Sequence, residues 1–213
     1  TIARQLATKL DCLYVDTGAM FRCLAWSWTT QGCPESDESL EKLGDQTRIV
    51  FENEKVICDY TDVTQEIRTE RISAKASKIS GFPLIREVMK KQQRALVEEV
   101  RRSKSYRGAV LEGRDIGTVV FPAAEFKFYV DASPEIRAKR RLLQLQKSGE
   151  DVDYEEVLTA LRNRDFQDQN RKVAPLKPAN DAIIVDTGRL TADGVLENLL
   201  NYVLKKESTG LEL

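Results

Sequence analysis

The chain has 213 residues, enough for one domain with a sizeable core or for two small ones. Lys and Arg number 33 against 34 Asp and Glu, a net charge of -1, so no global field draws the chain to nucleic acid or to a membrane, and any basic site must be local. Histidine is absent, which excludes a Ser-His-Asp triad and a His-ligated zinc and leaves chemistry run by arginines, carboxylates and a metal ion, phosphoryl transfer above all. Cys12, Cys23, Cys33 and Cys58 show no paired metal spacing, and no apolar run approaches the roughly 20 residues of a membrane span, so the chain reads as a reduced, cytosolic protein.

In chain order, Ile2, Leu6 and Leu10 recur every four residues beside Ala3 and Ala7, predicting an amphipathic helix that starts abruptly, with no cap before it. Cys12 to Val15 predicts a short buried strand, Asp16-Thr17-Gly18 a turn, and Ala19 to Thr30 a helix that buries Phe21, Leu24 and Trp28 and stops at Gly32. Arg22 falls in the first turn of that helix, where the helix dipole already supplies positive charge; an anion site or an exposed surface arginine would account for it.

From Ser36 to Arg102 the character changes. A short helical piece up to Gly44 is followed by Thr47 to Phe51 and Val56 to Tyr60, which flank a polar turn over 52–55 and read as a hairpin. Helices are predicted over Thr69 to Ser80 and Pro83 to Arg101, the second with proline in its first turn. Ser77 and Arg86 stand on either side of the Gly81-Phe82-Pro83 bend, as site residues or as ordinary surface groups. A hairpin with two helices between parallel strands reads as an inserted subdomain.

Gly108 to Leu111 predicts a parallel strand covered on both faces, ending at Glu112-Gly113-Arg114-Asp115-Ile116-Gly117. Gly113 and Gly117 permit a sharp turn or a close ligand approach, and ligands collect outside the carboxyl ends of such strands, so Arg114 and Asp115 are either a site or a surface pair beside a turn. Phe126 to Val130 and Ala182 to Val185 predict further buried strands. Ser133-Pro134 should cap a helix to Lys147, Asp153 with Glu156 makes a capping box for the next, and Thr191 caps the last, with Val195, Leu196, Leu199, Leu200, Val203 and Leu204 as its core face and a frayed tail after Lys206. Strands alternating with helices argue for an α/β fold with a doubly wound parallel sheet. On the helix from Tyr154, spacings of four and three place Arg164, Asp168 and Arg171 on one face, a substrate-facing cluster or an exposed ion-pair ladder.

Taken together, Asp16-Thr17-Gly18-Ala19-Met20-Phe21-Arg22, Ser77 with Arg86, Gly113-Arg114-Asp115-Ile116-Gly117-Thr118-Val119-Val120-Phe121-Pro122 and Arg164-Asp165-Phe166-Gln167-Asp168-Gln169-Asn170-Arg171 resemble the bacterial cytidylate kinases, in order and over essentially the whole chain. The resemblance implies a P-loop nucleoside monophosphate kinase fold with a five-stranded parallel core (1–35, 103–139 and 176–213), a monophosphate-binding insert (36–102) and a mobile lid (140–175). It implies transfer of the ATP γ-phosphoryl group to CMP or dCMP with Mg²⁺, by a cytoplasmic monomer that binds neither nucleic acid nor membrane. By the same resemblance Arg22 and Arg114 would hold the monophosphate, with Thr17 beside them. Ser77, Arg86 and Asp115 would hold cytosine, Asp168 the sugar, and Arg164 and Arg171 sugar or phosphate. Arg140, with Arg141 as its alternative, would face the transferring phosphoryl group.

Each role is physically apt: the guanidinium fork matches phosphate oxygens, and a carboxylate accepts from the exocyclic amine of cytosine. The family's opening strand and Gly-x-x-x-x-Gly-Lys-Ser/Thr loop are expected to lie before Thr1, the strand between those at Gly108 to Leu111 and Phe126 to Val130. An adenylate, uridylate or, more distantly, shikimate-type kinase, and a non-catalytic nucleotide-binding protein lacking the phosphate loop, are the alternatives.

Overall fold

A computed structural model describes residues 1–52, 55–147 and 149–209, with the backbone alone at Asp37 and 206–209. The chain divides into two compact units, one of Thr1 with Ala3–Gly113 and one from Arg114 onward.

The first unit opens on α1 (Ile2–Lys9), and Thr1 is itself the cap that the sequence was expected to lack: its side chain accepts from the Arg4 N–H. Strand β1 (Cys12–Asp16) leads into α2 (Thr17–Gln31), which starts two residues earlier than the apolar pattern implies because the Asp16 carboxylate accepts from the Ala19 N–H at 2.8 Å. Gly32 closes α2 in the left-handed region, φ 63°. α3 (Asp37–Gln46) runs through Gly44 instead of ending there. A Cβ on Gly44 would lie 2.9 Å from a Val88 methyl, so this glycine lets two helices approach and does not stop one.

Strands β2 (Ile49–Glu52) and β3 (Lys55–Cys58) pair antiparallel as a hairpin; residues 53 and 54 of the expected turn lie outside the described residues. A further strand, β4 (Thr61–Asp62), pairs with β3 through a turn whose two residues, Asp59 and Tyr60, both have positive φ (48° and 68°). Such turns ordinarily carry Asn-Gly. Here the Asp59 carboxylate accepts from the Arg48 N–H at 2.8 Å, and the Tyr60 hydroxyl accepts from the Arg48 guanidinium at 3.2 Å.

A 3₁₀ turn (Glu66–Arg68), α4 (Glu70–Ile79) and α5 (Pro83–Ser103) lead to β5 (Gly108–Glu112), which pairs parallel with β1 from Cys12↔Gly108 to Asp16↔Glu112. One continuous core binds these elements, with Met20, Leu24, Leu40, Ile67, Ile79, Ile85 and Met89 wholly buried. Each such side chain contributes about 1.5–3 kcal/mol of transfer free energy. Phe21, expected in that core, is only partly buried.

The second unit begins with a π turn (Ile116–Val120) and continues with β6 (Phe128–Asp131), α6 (Pro134–Lys147), α7 (Tyr154–Asn170), β7 (Ile183–Asp186) and α8 (Ala192–Thr209). β6 and β7 pair parallel from Phe128↔Ile183 to Asp131↔Asp186, both ending one residue later than expected. The caps fall where the sequence put them: the Ser133 hydroxyl accepts from the Ile136 N–H, the Asp153 carboxylate from the Glu155 N–H, and the Thr191 hydroxyl from the Gly194 N–H. α6 and α7 pack around Ala138, Val157 and Leu158, with Leu142, Leu145 and Leu161 half-buried against them.

On α8 the buried stripe is Val195, Leu199 and Val203, narrower than the apolar pattern, and Leu204 is 51% exposed where a core position was expected. The helix continues past Lys206 to Thr209, and the remainder of the expected frayed tail, 210–213, lies outside the described residues.

The architecture is therefore mixed α/β with parallel strands and helices. Among the described residues the parallel strands form two pairs, β1–β5 and β6–β7, where the resemblance implied five strands in one core. Among the same residues no helix is long and apolar enough to cross a membrane, and all four cysteines are free thiols.

Candidate active site

In the first unit the register of β1 against β5 sets Asp16 beside Glu112 at the carboxyl ends of the pair. The Thr17 hydroxyl, buried, donates to the Glu112 carbonyl at 2.6 Å and ties the start of α2 to β5. Asp16 uses both carboxylate oxygens: one caps α2, and the other accepts from the Arg22 guanidinium at 2.8 Å. Because α2 starts at Thr17, Arg22 stands in its second turn and not in the first as expected, and the capping carboxylate offsets its charge. Among the described residues the Nε of Arg22 is buried with no hydrogen-bond partner, which leaves it one unused donor. A Cβ on Gly18 would lie 3.2 Å from both the Arg22 guanidinium and the Asp16 carboxylate, so the bare glycine gives the pair its room.

Arg86 is buried on α5 and lies over the Phe21 ring, 5.6 Å from its centroid. It donates to the Ser80 carbonyl at 2.9 Å, and the Ser80 hydroxyl donates to the Ser77 carbonyl at 2.8 Å. Ser77 and Arg86 are thus linked through Ser80 across the bend, with the Ser77 side chain exposed. A second polar link joins the strands: the Tyr14 hydroxyl donates to the Glu112 carboxylate at 2.7 Å, and burial first, then this carboxylate, pushes the phenol well above its ordinary range.

In the second unit Asp168 is nearly buried and meets three guanidinium groups among the described residues. Arg114 donates to it at 2.9 Å from the loop after β5, Arg171 lies at 3.6 Å and Arg164 at 4.0 Å. The face predicted on α7 therefore exists, and Arg114 joins it from elsewhere in the chain. Within these four side chains cations outnumber anions three to one, an arrangement suited to gripping phosphate. Asp115 is 8% exposed, and its carbonyl accepts from the N–H groups of Val119 (2.9 Å) and Val120 (3.2 Å) and from the Thr118 hydroxyl (3.3 Å). Such i→i+5 turns are rare and concentrate at functional sites. A Cβ on Gly117, which lies within this turn, would come 3.2 Å from the Lys127 Cδ. Arg140 donates to the hydroxyl and carbonyl of Thr187, just after β7, at 3.0 and 2.6 Å.

Among the ionic contacts that sequence reasoning missed, two tie helices to their surroundings. Asp16 stood in the motif without a role, although an aspartate just before a helix is a cap signal. The other is a fork: Arg137 on α6 grips both oxygens of Asp165 on α7, at 2.9 and 2.6 Å, and its Nε donates to the Ala132 carbonyl at 2.9 Å. The partners lie 28 residues apart, so no local spacing announces them.

The family model described as cytidylate kinase matches residues 1–205. The chain belongs to the cytidylate kinase family. The curated cytidylate kinase of Nitratidesulfovibrio vulgaris strain Hildenborough is 44% identical over 97% of this chain and 88% of its own length. That of Vibrio cholerae is 41% identical over 97% and 91%, and that of Desulforamulus reducens 38% over 96% and 91%. For a member of this family ATP and Mg²⁺ are the partners to fit. Among the described residues no three Asp, Glu, Cys or His side chains gather as a metal cage.

Proposed function

We propose that the chain transfers the γ-phosphoryl group of ATP to CMP and dCMP, as a monomer in the cytoplasm. The observation that carries this reading, within a family of cytidylate kinases, is Asp168 of α7 set among Arg114, Arg164 and Arg171. An oxygen of the acceptor phosphate forms the new P–O bond. The bond from the γ-phosphorus to its bridging oxygen breaks, and ADP leaves with that electron pair.

Catalysis of such transfers is positioning and charge stabilisation, the work for which arginines are suited. Arg22, through its unpartnered Nε, and Arg114 hold the acceptor phosphate, with Thr17 fixing the backbone beside Arg22. Asp115 accepts from the cytosine amine, and Ser77 and Arg86 donate to the ring acceptors. Asp168 accepts from the sugar hydroxyls. Arg164 and Arg171 reach sugar or phosphate, and Arg140, drawn from Thr187, meets the transferring group. Mg²⁺, where it enters with ATP, would supply neutralisation of phosphate charge. The doubly wound order of the sheet, the insert over 36–102 and a lid over 140–175 belong to the same reading; they are supported by parallel strands of which β1, β6 and β7 lead into helices, and by the α6–α7 hairpin.

The test is kcat/KM for CMP, dCMP, UMP and AMP in a coupled assay of ADP release, in wild type and Asp115→Ala. CMP and dCMP should lead. The variant should narrow the CMP-to-UMP ratio by about tenfold or more, because a lost hydrogen bond to a charged group is worth roughly 1.5–3 kcal/mol and uracil presents an acceptor where cytosine presents a donor. Equal turnover of UMP or AMP by wild type overturns the reading. An unchanged ratio in Asp115→Ala removes base selection from Asp115 and leaves it to orient Arg114.

A further inference from the structure

We infer that Arg137 and Asp165 form a positioning pair, a guanidinium fork that sets α7 so that Asp168 and its arginines stand correctly for nucleotide; the inference rests on the kinase reading above. Arg137 ties three parts of the unit together. Its Nε is fixed to the Ala132 carbonyl just after β6, its own backbone belongs to α6, and its two terminal nitrogens hold both oxygens of Asp165 on α7. Asp165 and Asp168 are three residues apart, one turn along the same face of that helix. One turn is therefore held from α6 by Arg137, and the next is held from the loop after β5 by Arg114.

Among the described residues the buried members of this hairpin's apolar cluster are Ala138 on α6 and Val157 and Leu158 on α7, the latter two in the half of α7 before Asp165. Beyond Asp165 the placement of the helix rests on polar contacts, the Arg114–Asp168 bond and the Leu176 N–H donating to the Asp168 carbonyl at 2.8 Å. Phe166, between the two aspartates, is 68% exposed and anchors nothing. A planar bidentate fork fixes direction as well as distance, which an ammonium at the same place cannot do. The ionisation of Tyr129 on β6 places these groups in one neighbourhood: burial chiefly raises it, Asp131 and Asp165 raise it further, and Arg114 and Arg137 oppose them.

The test is a double-variant cycle in the full-length protein, with Arg137→Lys and Asp168→Ala separately and together, read by steady-state kinetics, thermal melting and hydrogen exchange. Arg137→Lys keeps the charge and loses the fork. It should raise KM for CMP about tenfold, since misplacement by about 1 Å already costs a factor of this order or more. It should also speed exchange at the Leu176 amide. In the Asp168→Ala background the same change should cost less than about twofold, because the group being positioned is gone. Asp165→Asn, which keeps shape and one acceptor, should lie between wild type and Arg137→Lys. Equal losses in both backgrounds, or a lowered melting temperature with unaltered KM, overturn the inference and leave the fork a structural tie. The Leu176 exchange needs no turnover: if wild type fails to phosphorylate CMP, the kinase reading falls, while unaltered exchange in Arg137→Lys defeats the positioning pair by itself.

Discussion

The two units handle arginine differently. In the first, Arg22 meets a single carboxylate, and Arg86 rests on an aromatic ring and a backbone carbonyl, both inside a large continuous apolar core. In the second, Arg114, Arg164 and Arg171 share the single carboxylate of Asp168 at the end of a hairpin with a small core. Side chains built on a large core are held by packing and keep their geometry with or without a ligand. Side chains that compete for one carboxylate are held by charge, and an incoming anion can redistribute them. On the proposed reading, the contrast separates a preformed grip from an adaptable one.

The largest effect should come from attacking the core that makes the first grip rigid. Leu24→Ala or Met89→Ala should cost about 2–5 kcal/mol in denaturant unfolding, whereas Leu158→Ala in the hairpin should fall at the lower end of that range. Equal costs would erase the contrast. Next in size, Asp168→Ala leaves three guanidinium groups with no carboxylate between them. CMP phosphorylation should fall by about tenfold or more, as expected for a lost bond to a charged group; a loss below twofold would reduce the cluster to a ladder of surface pairs worth about 0.2–0.5 kcal/mol each. Smallest should be Arg162→Ala, which removes the exposed pair with Glu135 at 2.7 Å. Exposed pairs contribute about 0.2–1 kcal/mol, so thermal melting should barely move and kcat/KM should stay at the wild-type value. A clear kinetic loss would extend the adaptable grip onto the outer face of α6.

Much of this was legible in the sequence because the signals were local. Capping residues at Ser133, Asp153 and Thr191, the left-handed Gly32, and the spacing of Arg164, Asp168 and Arg171 each act within a turn or two of helix. What escaped was set by partners distant in sequence or by residues in unusual roles. β4 was missed because its turn uses Asp59-Tyr60 in place of a glycine, with Arg48 restraining it from eleven and twelve residues away. Gly44 looked like a helix stop, and only the Val88 methyl shows that it is a packing glycine. The arginine at Arg22 looked electrostatically misplaced until Asp16 was seen to serve both helix cap and guanidinium. The fork from Arg137 to Asp165 joins two helices, so no periodicity within either one points to it.

The π turn at Ile116–Val120 has a consequence for length as distinct from chemistry. The Phe121 N–H bonds to the Ile116 carbonyl, and the Val120 N–H to that of Asp115, each five residues back, where an α-turn would close over four. The segment therefore carries one residue more than an ordinary helical turn needs, and that surplus sets the phase of Asp115 relative to Phe121 and Pro122. Removing a single residue between Thr118 and Val120 would let the segment relax into an α-turn and rotate everything on one side of it by about 100°. Substitutions here alter a side chain; a one-residue deletion alters where Asp115 points. The number of residues from Asp115 to Pro122 therefore fixes the direction of Asp115 as much as their identities do.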